Sequence, residues 1–256
     1  MEIRTVEVTR YIAPLREGGS LPAIAEADDG FMYSLKFRGA GQGTRALVAE
    51  MIGGMLAKEA GLKTPEIVFA ELKEGFGRTE PDEEIQDLLK ASTGLNIAIH
   101  YLSGSITYDP AVKTVDPLLA SKIVWLDAFL MNVDRTPKNT NMLLWQKELW
   151  LIDHGACLYF HHNWDSWREA VTKPFVQIKD HVLLPQATEM EKADYELKQK
   201  ITPDIIDKLI SLIPANWIND YGEGIEPAAI RKGYAEFLKR RIENAEIFLN
   251  QILNDR

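Results

Sequence analysis

Residues Trp125 to Leu158 read WLDAFLMNVDRTPKNTNMLLWQKELWLIDHGACL, and this stretch decides the fold. An apolar, helix-like segment leads into a polar loop, Asp134-Arg135-Thr136-Pro137-Lys138-Asn139, with the D-x-x-x-x-N spacing of a phosphoryl-transfer catalytic loop. Two short apolar runs follow, Met142 to Trp145 and Leu149 to Ile152, separated by Gln146-Lys147-Glu148 as a hairpin turn. The residue entering the first strand and the residue leaving the second share the open end of such a hairpin. Asn139 and Asp153 are therefore expected to come together. Adjacent strands lie only about 5 Å apart, which suits two oxygen ligands sharing magnesium. Asp134 falls at the same end, giving a base beside a metal-ligand pair. Asp and Asn are common in turns for purely local reasons. The order helix, D-x-x-x-x-N loop, hairpin, apolar-Asp-x-Gly therefore carries the reading, and the loop motif alone does not.

Outward from this stretch, composition sets limits. The 256 residues are ample for one large domain or two smaller lobes. A formal net charge of −9 opposes nonspecific attraction to nucleic acid or anionic lipid, so neither a nucleic-acid nor a membrane partner is expected. Cys157 is the only cysteine, which rules out an intramolecular disulfide and a multi-cysteine zinc site. No segment approaches the 18 or more apolar residues that span a membrane, and the first residues carry charges where a signal peptide needs an apolar core. A soluble, cytoplasmic protein is expected.

Upstream, the chain reads as strands. Ile3 to Ile12 alternates, and Arg16-Glu17-Gly18-Gly19-Ser20 breaks the pattern. Asp28-Asp29-Gly30 turns into Phe31 to Phe37, whose alternation sets Lys36 on the face with Met32 and Ser34. Lysine on a strand ordinarily faces solvent; in a nucleotide site the same position holds the ammonium against the α/β-phosphates. Thr44 is expected to cap a helix to about Ala60 with a stripe of Leu47, Val48, Met51, Ile52, Met55 and Leu56. Glu50 flanks that stripe, where a kinase needs a glutamate to orient the strand lysine. Glu66 to Leu72 and Gly94 to Leu102 read as strands, with a short helix at about Pro81 to Ala91 between them. Ser103-Gly104-Ser105 marks a hinge between a first lobe, residues 1–103, and a second, residues 104–256. Adenine would lie against the backbone of Ile99, Tyr101 and Leu102. Downstream, Asp116-Pro117 starts a helix to about Asn132, and helices are expected at Thr188 to Lys200, Pro203 to Ile213 and Pro227 to Asn254. After Phe160-His161-His162-Asn163-Trp164, the chain reads as irregular to about Pro185. Adjacent His161 and His162 offer a metal pair, but no third ligand has the spacing to join them. The sum is an α+β, bilobal architecture with a β-rich N-lobe and a mainly helical C-lobe.

The chain resembles the HipA-like kinases, in their small, kinase-core branch. The blocks that carry the resemblance are Gly18-Gly19-Ser20, Ser34-Leu35-Lys36-Phe37, Asn132-Val133-Asp134-Arg135 and Leu151-Ile152-Asp153-His154-Gly155, with Trp164 just downstream. The resemblance implies a protein-kinase-like fold and an ATP- and magnesium-dependent transfer to a protein Ser or Thr. Asp134 would be the base, with Asn139 and Asp153 as magnesium ligands. Lys36 would be the phosphate-binding lysine and Glu50 its partner. Gly18, Gly19 and Ser20 would form the loop over the phosphates, with Ser20 a self-phosphorylation site by analogy. The family's best-known members are toxins held by an antitoxin, so an antitoxin-type protein partner is implied too. They commonly carry His two residues after the catalytic Asp, where this chain has Arg135-Thr136-Pro137. Two other readings stay open at this point. One is a small-molecule kinase of the aminoglycoside or choline type, and the other is a catalytically silent nucleotide-binding module.

Overall fold

Alternation in the first hundred residues produces five strands, described here in a computed structural model covering residues 1–15, 21–78, 80–219, 221 and 225–256. They are β1 (Thr5–Pro14), β2 (Ala23–Ala27), β3 (Met32–Lys36), β4 (Ile67–Leu72) and β5 (Gly94–His100). They close into a barrel in the order β1-β2-β3-β5-β4, because β1 also pairs in parallel with β4 through Thr5, Val6 and Glu7. Closure removes exposed sheet edges. A barrel this narrow needs small inward residues on some strands, and β2 supplies Ala23, Ala25 and Ala27 against Tyr33, Leu35, Val68 and Ala98. β1 runs two residues beyond the expected segment, since its register shifts twice against β2.

Helix α1 (Gly43–Glu59) follows β3. Thr44 does not cap it: Gln42 holds that position, and the Thr44 hydroxyl donates instead to the carbonyl of Trp217 at 2.7 Å. Nor is α1 one-sided, because every residue from Leu47 to Ala57 is buried. It lies between the barrel, touching β4 and β5, and the helices beyond, touching α6 (Pro203–Ser211). An all-round buried helix must let its neighbours come close. A Cβ on Gly53 would stand 2.6 Å from the His154 Cβ, and one on Gly54 would stand 2.3 Å from the Ile67 side chain. Helix α2 (Glu83–Ala91) is capped by Asp82, which accepts from the Glu84 and Ile85 N–H groups.

In the second half, α3 (Pro117–Leu130) starts as expected: the Asp116 carboxylate accepts from Leu119 N–H at 3.0 Å, and Pro117 occupies the first turn. Met131, in the left-handed region at φ 55°, ends it. β6 (Ile106–Thr107), β7 (Met142–Trp145) and β8 (Glu148–Leu151) form a small antiparallel sheet. Gln146 and Lys147 turn the β7–β8 hairpin with φ of 50° and 68°, and Glu148 belongs to β8. The stretch expected to be irregular carries 3₁₀ turns at Tyr159–Ser166, Val176–Asp180 and Leu184–Gln186 and one turn of helix, α4 (Trp167–Ala170). α5 (Met190–Lys200) and α6 follow.

The single long helix expected at the end is two, α7 (Pro227–Glu243) and α8 (Glu246–Asp255). The backbone breaks at Asn244 (φ −102°, ψ 30°). That lets α8 place Phe248 against Trp125 and Phe129 of α3, at ring centroid distances of 5.4 and 6.5 Å. Arg241, fully buried with no acidic partner among the described residues, donates to the carbonyls of Ala128 and Phe129 at the end of α3 and to those of Ala170, Val171 and Lys173. Burial pushes its guanidinium down to about 10. The end of α3, where the decisive loop begins, is thus held by a side chain more than 100 residues away. Among the described residues no helix is long and apolar enough to cross a membrane.

Candidate active site

β3 ends on Lys36, whose face of the strand turns toward α1 and the hairpin. The lysine is buried, at 8% exposure, which departs from the usual solvent-facing fate of a strand lysine. Its Nζ donates to Glu50 Oε2 at 2.5 Å and to Asp153 Oδ1 at 2.6 Å. Burial alone would lower the Lys36 pKa, but the negative charges of Asp153 and Glu50 outweigh it and hold it above its ordinary value. Glu50, buried in α1, also accepts from the backbone N–H of His154 at 2.9 Å. Burial would push its carboxyl up; the Lys36 charge and the interaction with His154 win, and the group sits at about 2. Strand, helix and post-hairpin loop are therefore tied at one charged point.

Asp153 adopts φ 53°, a left-handed conformation that Asp tolerates better than most residues. One of its oxygens meets Lys36, and Gly155 N–H also leans on it at 3.4 Å. Oδ2 has no hydrogen-bond partner among the described residues. Asp134 receives the Asn139 amide on Oδ2 at 2.8 Å and the Asn141 amide on the same oxygen at 3.3 Å. Its Oδ1 is likewise unpartnered. The Asn139 amide thus turns to Asp134, and its carbonyl oxygen stays unengaged. Hairpin register explains the meeting: Met142 faces Leu151, and Ile152 N–H donates to Asn141 O at 3.0 Å, so the loop and Asp153 share the open end.

Two cavities meet at this point. Both are lined by Lys36, Asn139, Asn141 and Asp153. The larger, about 840 Å³, extends past Ile99, Tyr101, Leu102 and Tyr108 to Leu15 and Pro22. The smaller, about 320 Å³, extends under Gln42, Gly43 and Ala46 and contains Asp134, Gly155 and Ala156. Ile99, Tyr101 and Leu102 accordingly line the cavity wall. The backbone N–H of Leu102, a residue 5% exposed, finds no acceptor among the described residues, whereas the Tyr101 N–H donates to Met32 O. Gly18, Gly19 and Ser20 lie outside the described residues; Leu15 and Pro22, which flank them, line the larger cavity.

Sequence reasoning passed over the residues that fasten the loop. Asn132 and Asn141 bond to Asp134, Asp127 accepts from Arg135, and His181 reaches the loop only through Asp127; of these, His181 lies too far along the chain to have been suspected. The buried His161 shares a hydrogen bond with Tyr234 at 2.9 Å, and burial pushes it well below its ordinary pKa. Among the described residues no cluster of three or more His, Cys, Asp or Glu is placed to hold a metal. What the cleft offers a hard cation is oxygen from two aspartates and an asparagine.

Comparison with curated proteins found no match. Among solved structures, the chain is similar in fold to the crystal structure of the Helicobacter pylori proinflammatory kinase CtkA. The two share 11% sequence identity and a TM-score of 0.59 over 99% of this chain and 98% of that one. The sequence matches the HipA-like kinase profile over residues 7–250, nearly its whole length, and with a kinase-like fold around a lysine–glutamate–aspartate cluster the chain belongs to the HipA-like kinase family.

Proposed function

We propose that the chain is an ATP- and magnesium-dependent phosphotransferase that moves the γ-phosphoryl group to a hydroxyl of a protein serine or threonine. The observation that carries this reading is the convergence, at one cleft, of the Lys36–Glu50–Asp153 cluster with Asp134 and Asn139. In this reading residues 1–103 and 104–256 act as two lobes with the cleft between them. The larger cavity takes the nucleotide, and the free Leu102 N–H is the donor for its base. Lys36, which uses two of its three protons on carboxylates, has one left for a phosphate oxygen. Gly18, Gly19 and Ser20 close over the phosphates, with Ser20 a candidate for self-modification.

The unengaged oxygens of Asp153 and Asn139 fit magnesium, a hard cation held by few protein oxygens. Magnesium, when bound, neutralises charge on the transferring phosphoryl group. Asp134 opens on the smaller cavity, where the acceptor would enter. Two amides hold its Oδ2, so Oδ1 faces the hydroxyl. Asp134 takes the proton of the acceptor hydroxyl as the hydroxyl oxygen bonds to the γ-phosphorus and the bond from that phosphorus to the ADP oxygen breaks. Family membership supports an antitoxin-type protein partner as part of the same proposal.

A positioned base contributes about 10²- to 10⁴-fold. Asp134→Ala is therefore expected to lower turnover by at least about 10²-fold while ATP affinity stays unchanged. The test incubates the protein with γ-labelled ATP and magnesium, alone and with cell extract, beside that variant. Label on the chain or on an extract protein, absent with Asp134→Ala, supports the reading. Wild-type turnover in the variant overturns Asp134 as the base. Bound ATP with no protein labelled points to a small-molecule acceptor or a silent module.

A further inference from the structure

We propose that Asp127, Arg135 and His181 are positioning residues that clamp the Asp134 loop, so that turnover depends on how the chain around His181 is seated. The proposal rests on Asp134 being the base. Asp127, near the end of α3, is 1% exposed, and its carboxylate is fully used. Oδ1 accepts from the Asn132 amide at 2.8 Å; Oδ2 accepts from Arg135 Nε at 2.5 Å and His181 Nε2 at 2.9 Å. Arg135 follows Asp134 directly. Its Nη1 donates to the carbonyls of Asn141 and Ile152, which sit beside each other at the open end of the hairpin. One guanidinium thus fixes the loop to α3 and to both arms of the hairpin that carries Asp153.

Asp134 itself has little backbone freedom. Its N–H donates to Asn132 Oδ1 at 3.1 Å, and its carbonyl accepts from the Asn141 amide at 2.9 Å. The last tie comes from far along the chain. Val182 N–H donates to Arg135 O at 3.0 Å, and Leu183 N–H donates to His181 Nδ1 at 3.0 Å. Nδ1 is thereby the acceptor, so Nε2 carries the proton and donates to Asp127. A neutral histidine makes both contacts, joining its own turn to the carboxylate under the loop. Groups that never touch substrate act in this way by holding a reacting side chain in place.

The test compares two substitutions of similar polarity. In His181→Gln the longer amide reaches Asp127; in His181→Asn the shorter one reaches only the Leu183 N–H. Expected for His181→Asn is at least a tenfold fall in ADP release from magnesium-ATP, with KM for ATP within twofold. Backbone hydrogen exchange across residues 132–141 should speed up by a similar factor. His181→Gln should restore both. A purely structural role predicts the opposite pattern: a lower melting temperature in both variants, with turnover and loop exchange of the folded protein unchanged, and that result overturns the clamp. Should His181→Asn not fold, Arg135→Lys is measured in the same way, since it keeps the charge against Asp127 but cannot also reach the two carbonyls. Asp134→Ala with wild-type turnover would instead remove the base assignment, and the exchange data would still decide the clamp.

Discussion

Two charged clusters meet the open end of the same hairpin, and they differ in how far they are closed to water. Around Lys36, the Glu50 side chain is buried but that of Asp153 is 42% exposed, and the Asp153 Oδ2 has no partner among the described residues. Around Asp127, side-chain exposures are 1% for Asp127, 0% for Arg135 and 3% for His181, and both carboxylate oxygens are committed. Burial would raise the Asp127 carboxyl, but the Arg135 charge and the His181 hydrogen bond hold it below the usual range. The first cluster leaves a carboxylate oxygen open to water; the second has both oxygens of its carboxylate used inside the fold, with Arg135 Nη2 its one buried atom left without a partner among the described residues. The difference fits the proposed roles, a charge that meets a ligand left half open and one that holds a loop sealed.

Sealed and open clusters should fail differently, and the largest effect separates them. Removing one member of a buried ion pair strands its partner's charge, at about 3–5 kcal/mol. Asp127→Ala is expected to cost that much in denaturant unfolding, with no recovery on adding ATP and magnesium. Asp153→Ala, on a half-exposed carboxylate, should cost about 0–1 kcal/mol, yet remove the magnesium dependence of nucleotide affinity. Equal stability losses in the two variants would break the contrast.

Acid offers a second, somewhat smaller contrast inside the open cluster. The Glu50 carboxyl sits at about 2 in the folded protein against an ordinary 4.5. A folded value below the unfolded one means the contribution is complete above about pH 4.5 and is lost as pH falls through about 2. Its size is about 3 kcal/mol. Unfolding free energy of the wild type should therefore fall more steeply between pH 5 and 2 than that of Glu50→Gln, which has no proton to gain there. Parallel curves would mean that folding does not lower the Glu50 carboxyl.

How much of this was legible depended on whether a residue's partners were local. The meeting of Asp134, Asn139 and Asp153 at one cleft followed from two apolar runs and a short turn, although the turn is one residue tighter than expected and the register shifts with it, Met142 facing Leu151. The strand containing Lys36 was legible for the same reason, although its burial was not, since that comes from α1 and the barrel closing around it. Partners far along the chain were invisible. Nothing in the run from Val176 to Leu184 marks His181 as the partner of Asp127, 54 positions earlier. Gly53-Gly54 sits inside a helix, where each glycine costs about 1 kcal/mol relative to alanine. Its reason is the close approach of His154 and Ile67. Asn244, where the final helix breaks, carries an ordinary helical context, and only the packing of Phe248 on α3 reveals why the chain turns.

The smallest expected effect concerns the far end of the same hairpin. Gln146 and Lys147 both hold positive φ, the geometry of a two-residue turn that favours Asn-Gly. Neither residue has a backbone preference for that region, so the double substitution Gln146→Asn with Lys147→Gly should relieve local strain. The contact that Lys113 makes here is to the Lys147 carbonyl and survives the change. A gain of about 0.5–1 kcal/mol is expected, read as a higher melting temperature. At about 3.3 Å per residue, four-residue strands put this turn roughly 13 Å from the open end. Arg135 and Lys36 grip only that open end. Turnover should therefore not move while stability rises. A change in turnover would show that the two clusters do not isolate the cleft from the rest of the hairpin, and a fall in stability would show that the turn is not strained.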